Sequence, residues 1–246
     1  METLVNMCVL LAGACWGSFL NVIAVRGLSG LSLTQRSRCS TCNSILAWWQ
    51  LIPIISWIAL RGHCSSCQKP ISAWYPIIEY LTALWLWSLW NTVPLQFFPA
   101  LLILSSALIV TIRTDGEHFL ILRWCTIGII PVGLAAAACG YLPITFTQSI
   151  LGALAGGCYL SLVRTLFLWW KNYEGLGEGD IELIAAIGAF LGPFGMLMTV
   201  LIASCLGTAY GLGRWMLNAS TSVQAPIPFG VCLALGTWAT LLTKML

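Results

Sequence analysis

The stretch GLGEGDIELIAAIGAFLGPFGMLMTVLIA, residues 175–203, opens with alternating glycines and three acids, then runs apolar to its end. No charged residue follows Glu182 until Arg214. A helix needs about 20 apolar residues to cross a bilayer. Ile181–Leu191 is too short for that, and the pair Gly192-Pro193 interrupts a helix. The run therefore reads as two spans, 181–191 and 196–213. The first can cross only if its helix starts near Gly179 and packs against neighbours.

The rest of the chain agrees with a membrane reading. Of its 246 residues, 59% are hydrophobic and 8% are charged, against about 25% charged in a soluble domain. Further candidate spans are 4–25, 76–92, 95–112, 124–140, 145–168 and 226–243. Glu2 stands where a signal peptide would be basic, so 4–25 is expected to be a retained first span. The expected fold is an all-α polytopic membrane protein with about eight transmembrane helices. Arginine and lysine orient it. Arg26, Arg36, Arg38, Arg61 and Lys69 follow span 1, Arg113 and Arg123 follow span 3, Arg164 and Lys171 end span 5, and Arg214 follows span 7. The alternate connections carry no basic residue, and Lys244 alone falls on the other side. The N-terminus is thus expected outside and residues 26–75 in the cytoplasm. A net charge of +3 gives no reason to expect nucleic acid as a partner.

Residues 26–75 hold Cys39-Ser-Thr-Cys42 and Cys64-Ser-Ser-Cys67. Two C-x-x-C knuckles can offer four thiolates to a tetrahedral zinc ion. A cytoplasmic position disfavours structural disulfides, and a small, sparsely charged loop benefits from a metal staple. A redox pair of C-x-x-C motifs remains the alternative. His63 adjoins Cys64 and could replace a ligand. The other seven cysteines lie in apolar segments and read as packing residues. Within the loop, Leu51–Leu60 (LIPIISWIAL) is too short to span. It is expected to lie on membrane lipid, with Trp48, Trp49 and Trp57 at headgroup level.

An ionisable residue at membrane depth is a functional candidate. Glu79 begins span 2, Asp115 ends span 3 and Asp180 enters span 6. Asp115 and Asp180 both belong to elements that end on the cytoplasmic face, so they can meet there. Two close carboxyl groups cannot both ionise, so one can act as acid while the other activates water. The plain alternative is that Asp180 caps a helix and Asp115 is a turn residue. Asn21 in span 1 is either an interhelical hydrogen-bond donor or a substrate contact. Glu79 could equally pair with Arg26 or Arg61.

Several stretches then occur in one order: GSFLNVIAVR (17–26), the two C-x-x-C pairs, PIISWIALRGHC (53–64), YPIIEYLTA (75–83), GLGEGDIELIAAIGAFLG (175–192) and PFG (228–230). Together they resemble the type IV prepilin peptidase family, G-x-G-D aspartyl proteases of the bacterial inner membrane. The resemblance implies removal of the basic leader from type IV prepilins or pseudopilins, just after a glycine on the cytoplasmic side. It also implies N-methylation of the new N-terminus with S-adenosylmethionine. It matches Asp180 to the G-x-G-D aspartate and Asp115 to the first catalytic aspartate. Asn21, Glu79 and the cysteine loop fall in the region associated with methyl transfer. The expected division is a first helix 1–25, a C-x-x-C domain 26–75 and a peptidase domain 76–246.

The chain departs from the pattern near both aspartates. The family's P-D-x-L-T reads Leu122-Arg123-Trp124-Cys125-Thr126, Thr114 replaces the usual isoleucine before the aspartate, and Trp74 the usual arginine before Y-P. Glu182 stands where a lysine is usual. Asp115 rather than Arg113 is matched because it keeps the spacing to Thr126. A basic leader is expected near Glu174, Glu178 and Glu182. Competing readings are a membrane thiol oxidoreductase, a metal transporter using Glu79, Asp115 and Asp180, and an inactive homologue.

Overall fold

The run that opens at Gly175 folds as expected, and its glycine shows why. In the computed structural model, which describes residues 2–172, 175–217 and 227–245, it forms α8 (Glu178–Leu217), broken where Gly192 adopts φ 70° and ψ −179°. That conformation belongs to glycine, and Pro193 removes the next donor. A Cβ on Gly192 would meet nothing closer than 3.7 Å, so backbone geometry rather than crowding demands the glycine. The first half starts at Glu178, and Leu183, Ile184 and Ala186–Gly192 are buried. Both conditions for this short segment are thus met.

The chain divides into two compact units, Met1–Asn91 and Thr92–Leu246. Regular structure among the described residues is helical, apart from two isolated bridges in the cysteine loop. The first unit contains α1 (Glu2–Ser29), a 3-10 turn at Trp48–Leu51, α2 (Ile55–Ala59) and α3 (Trp74–Thr92). α1 buries Gly13, Ala14, Gly17, Leu20, Asn21 and Ala24, a stripe at helical spacing. Its small residues let two backbones touch. A Cβ on Gly13 would stand 2.7 Å from Ala83 Cα, and one on Gly17 2.9 Å from Glu79 Cα.

The second unit contains α4 (Phe98–His118), α5 (Arg123–Thr126), α6 (Ile130–Ala138), α7 (Phe146–Lys171), α8 and α9 (Phe229–Met245). α4 is buried without interruption from Ala107 to Asp115. α7 begins on a capping box, Thr145 with Gln148, and ends at Asn172 in the left-handed region. Gly152 and Gly188 bring α7 and α8 into backbone contact, and a Cβ on Gly156 would come within 2.7 Å of the Ile184 carbonyl. α8 and α9 meet likewise, since a Cβ on Gly236 would lie 2.8 Å from the Thr199 carbonyl.

Among the described residues four helices, α1, α4, α7 and α8, are long and apolar enough to cross a membrane, while 123–138 and 229–243 are apolar but shorter, and α3, which holds the expected span 76–92, is not one of the four. The protein is therefore an all-α polytopic membrane protein. The expected span 124–140 is not one helix. It is α5, a 3-10 turn at Ile127–Ile129, and α6, because Pro131 supplies no amide for a continuous ladder. Glu174 lies outside the described residues.

Candidate functional site

The cysteine loop builds one four-sulfur group from two copies of the same turn. Cys39 N–H donates to the Ser44 carbonyl at 3.0 Å, and Asn43 N–H to the Cys39 carbonyl at 3.0 Å. In the second knuckle Cys64 N–H donates to Lys69 at 2.9 Å and Gln68 N–H to Cys64 at 3.0 Å. Asn43 and Gln68 both take positive φ, 58° and 56°. This reversal aims each pair of sulfurs the same way. The ligand atoms of Cys39, Cys42, Cys64 and Cys67 lie within 4.8 Å of one another. Cys39 and Cys67 sulfurs are 3.9 Å apart, and those of Cys42 and Cys64 4.0 Å. A tetrahedron with metal–sulfur bonds of about 2.3 Å has edges of about 3.8 Å, so the group can hold a metal ion. His63 bonds through Nδ1 to the Arg61 carbonyl at 2.6 Å and is not part of the sulfur group.

The thiols differ in acidity. Amides of Cys67 and Ser66 aimed at its sulfur hold Cys64 down to about 6. The Ser44 hydroxyl lowers Cys42. Cys67 is pulled down by the Lys69 amide, but burial and the sulfurs of Cys42 and Cys64 outweigh that and push it up to about 11. Without a cation the group keeps a proton that a metal would displace.

Two buried carboxyl groups come together in the second unit, and each accepts an N–H at a helix start. Asp180 is the third residue of α8, and its Oδ2 accepts the Gly177 N–H at 3.3 Å. Asp115 is in the last turn of α4, and its Oδ2 accepts the Val231 N–H at 3.0 Å, in the first turn of α9. Unpaired N–H groups and the helix dipole make these favourable places for an anion. The capping reading of Asp180 is thus correct as far as its hydrogen bond goes. The two carboxyl groups nevertheless lie within electrostatic reach of one another, and Cys232 within reach of both. Glycine makes the approach possible. A Cβ on Gly230 would stand 2.9 Å from Asp115 Oδ2, and one on Gly179 2.9 Å from Ile121 Cβ. Ile121 Cδ1 would also be 2.9 Å from a Cβ on Gly230, so this side chain fills the gap between the two helix starts.

The anomalous charges beside the aspartates satisfy each other. Arg123 pairs with Glu182 at 3.2 Å, and Glu182 also accepts the Thr126 hydroxyl at 2.9 Å. Arg123 stands at the lost acid and Glu182 at the lost lysine, so the two departures form one ion pair. Arg113 pairs with Glu117 one turn on, and Arg164 with Glu178 at 3.3 Å. Glu178 and Glu182, expected to receive a basic leader, are therefore each held by an arginine of the chain itself.

Asn21 and Glu79 are buried in the first unit. Asn21 donates to the Tyr75 carbonyl at 3.2 Å, tying α1 to α3. Glu79 accepts the Ile54 N–H at 2.7 Å and bonds the Ser18 side chain. Of the two arginines offered as alternative partners for Glu79, Arg26 donates instead to the Ser32 and Leu33 carbonyls at 3.0 and 2.7 Å. Trp57, expected at headgroup level, turns its indole inward. Its indole N–H donates to the Ile71 carbonyl at 3.2 Å, and its ring covers Gly62. Sequence reasoning missed the amides of Val231 and Gly177, Ile121 and the Arg123–Glu182 pair. The PFG stretch at 228–230 was the one signal that pointed to the α9 contact.

These features define a helical membrane protein with a four-sulfur group that can hold a metal ion and a pair of buried aspartates. The family model described as the Bacterial Peptidase A24 N-terminal domain matches residues 11–93, and that of the Type IV leader peptidase family matches 102–212. A prepilin leader peptidase/N-methyltransferase of Myxococcus xanthus (strain DK1622) is 36% identical over 211 residues, covering 81% of this chain and 60% of that protein. The type 4 prepilin-like proteins leader peptide-processing enzyme of Escherichia coli O78:H11 is 32% identical over 262 residues, covering 95% of this chain and 92% of that protein. A prepilin leader peptidase/N-methyltransferase of Stutzerimonas stutzeri is 30% identical over 261 residues, covering 96% and 90%. No solved structure matches. The chain belongs to the type IV leader peptidase family.

Proposed function

We propose that the protein removes the leader peptide from type IV prepilins or pseudopilins by aspartyl proteolysis and N-methylates the new N-terminus. The observation that carries the proteolytic half is the convergence of Asp115 and Asp180, both buried, from α4 and α8. The substrate's apolar helix packs laterally against the spans, and its leader stays in the cytosol. One carboxyl group is protonated and the other ionised. The ionised one takes a proton from a water held between them, and that water adds to the scissile carbonyl. The leaving amine then receives a proton from the pair. Because the two titrate together, neither has a fixed role.

Zinc is the cation proposed for the four cysteines, since four thiolates at tetrahedral spacing suit it. It serves as a staple for the loop and takes no part in cleavage. The methyl donor is proposed to be S-adenosylmethionine, on the names of the relatives. The side chains of Asn21 and Glu79, proposed to belong to the methyl-transfer region, each also bond a backbone partner. We assign residues 26–75 to the region serving methyl transfer and 76–246 to the peptidase. The basic residues support a setting in the bacterial inner membrane, with the N-terminus periplasmic and the cysteine loop cytoplasmic.

The test is cleavage of a purified prepilin by membranes containing wild type, Asp115→Asn or Asp180→Asn, at equal protein level. Each variant is expected to lose leader removal by about 10²–10⁴-fold. Full cleavage by either variant would exclude that residue from the dyad.

A further inference from the structure

The cysteine loop carries an apolar face that the proposed chemistry does not use. Trp48 and Leu51 of the 3-10 turn and Ile55 and Ile58 of α2 are all exposed. Trp48 is 79% exposed, and Ile55 and Ile58 are each 63% exposed. Soluble surfaces rarely carry contiguous apolar patches without a partner. The opposite side of the same segment is fixed inward. Trp57 donates to Ile71, and Gln50 donates to Ser65 of the second knuckle at 2.7 Å. The face therefore cannot turn into the loop without breaking these bonds.

The height of this face is set by Glu79. Its carboxylate accepts the Ile54 N–H, and Glu79 lies five residues inside α3, which begins at Trp74. At 1.5 Å per residue that is about 7.5 Å along the helix from its first residue. Ile54 itself takes φ 62° and ψ −52°, a strained turn for a β-branched residue. The buried carboxylate is what holds it. α2 thus begins alongside the first turns of α3, level with the exposed Ile77 and Tyr80 of that helix. An interfacial amphipathic segment buries its apolar face about 5–10 Å into the headgroup and acyl boundary.

We propose that Trp48, Leu51, Ile55 and Ile58 are immersed in the lipid of the leaflet beside α3. The metal-binding module is then a membrane-embedded element whose depth Glu79 sets. The occupant is lipid because Ile54, at the start of α2, is bonded to Glu79, and α3 at Glu79 lies against Gly17 in the interior of α1, a helix long and apolar enough to cross a membrane. This inference stands independently of the proposed proteolysis.

The experiment uses the full chain, metal-loaded, in phosphatidylglycerol/phosphatidylethanolamine vesicles. A small fluorescent non-natural residue is placed singly at Ile55 or Ile58. Leu151 on the exposed side of α7 serves as the lipid control and Lys69 as the water control. The labels at Ile55 and Ile58 are expected to be quenched by acyl-brominated lipid to within about twofold of the Leu151 label, and to resist iodide. In the Glu79→Ala background, metal content unchanged, the Ile55 label should lose lipid quenching and gain iodide quenching. Iodide quenching at Ile55 and Ile58 in the otherwise native chain, matching Lys69, would overturn the proposal. So would protection from both quenchers, which would mean that a protein surface covers the face.

Discussion

A single methyl group placed at Gly230 tests whether the α9 start positions Asp115. In Gly230→Ala the new Cβ would stand 2.9 Å from Asp115 Oδ2 and 2.9 Å from Ile121 Cδ1. Ordinary contact begins near 3.4 Å, so 3.4 − 2.9 leaves about 0.5 Å to be found by movement of the carboxylate or the isoleucine. The Val231 N–H bond at 3.0 Å cannot follow such a shift unchanged. A misplacement of 1 Å can cost about 10²-fold in rate, so half that distance corresponds to about tenfold, and loss of a charged hydrogen bond worth about 1.5–3 kcal/mol adds to it. Cleavage of a prepilin under single-turnover conditions should therefore slow by about 10²- to 10³-fold, with no loss of protein from membranes. Gly213→Ala on α8 is the control, since nothing lies within 4 Å of its added Cβ. Wild-type cleavage by Gly230→Ala would refute the view that this contact aims Asp115.

Four further outcomes follow from the geometry. Purified protein should contain one zinc per chain, and Cys39→Ser or Cys64→Ser should remove it, as read by metal analysis. Because Cys67 keeps its proton up to about 11 without a cation, binding releases protons, and affinity should rise with pH and fall on acidification, measured by competition with a chromogenic chelator. Arg123→Glu should slow cleavage by setting two acids face to face, and Arg123→Glu with Glu182→Arg should recover most of it, giving a coupling in a double-mutant cycle of about 0.2–1 kcal/mol. Gly188→Leu should abolish accumulation in the membrane, because the α7–α8 contact at Gly152 has no room for a side chain; immunoblotting of membranes checks it.

Length, apolarity and punctuation made most of the fold legible. The break at Gly192-Pro193, the cap at Thr145 and the basic residues at alternate connections are local signals, and local physics acts on them directly. The cysteine group was legible for the same reason, since each C-x-x-C pair is a self-contained turn. The helix breaks within 123–138 were less legible, because an apolar window does not reveal how Pro131 divides it.

The sequence alone determined that this is a polytopic helical membrane protein, that four cysteines form one group, and that Asp115 and Asp180 deserved notice. Only the tertiary structure decided what these residues touch. Val231 is 116 positions from Asp115, and no local pattern encodes which helix start will face a carboxylate. Arg123 and Glu182 looked like two separate departures until folding joined them at 3.2 Å. Glu79 looked like a partner for arginine until the backbone of Ile54 was found in that place. Span positions follow from transfer of side chains to lipid, which each segment feels independently. Partners follow from packing between helices, which depends on small residues whose spacing has meaning only once the facing helix is known.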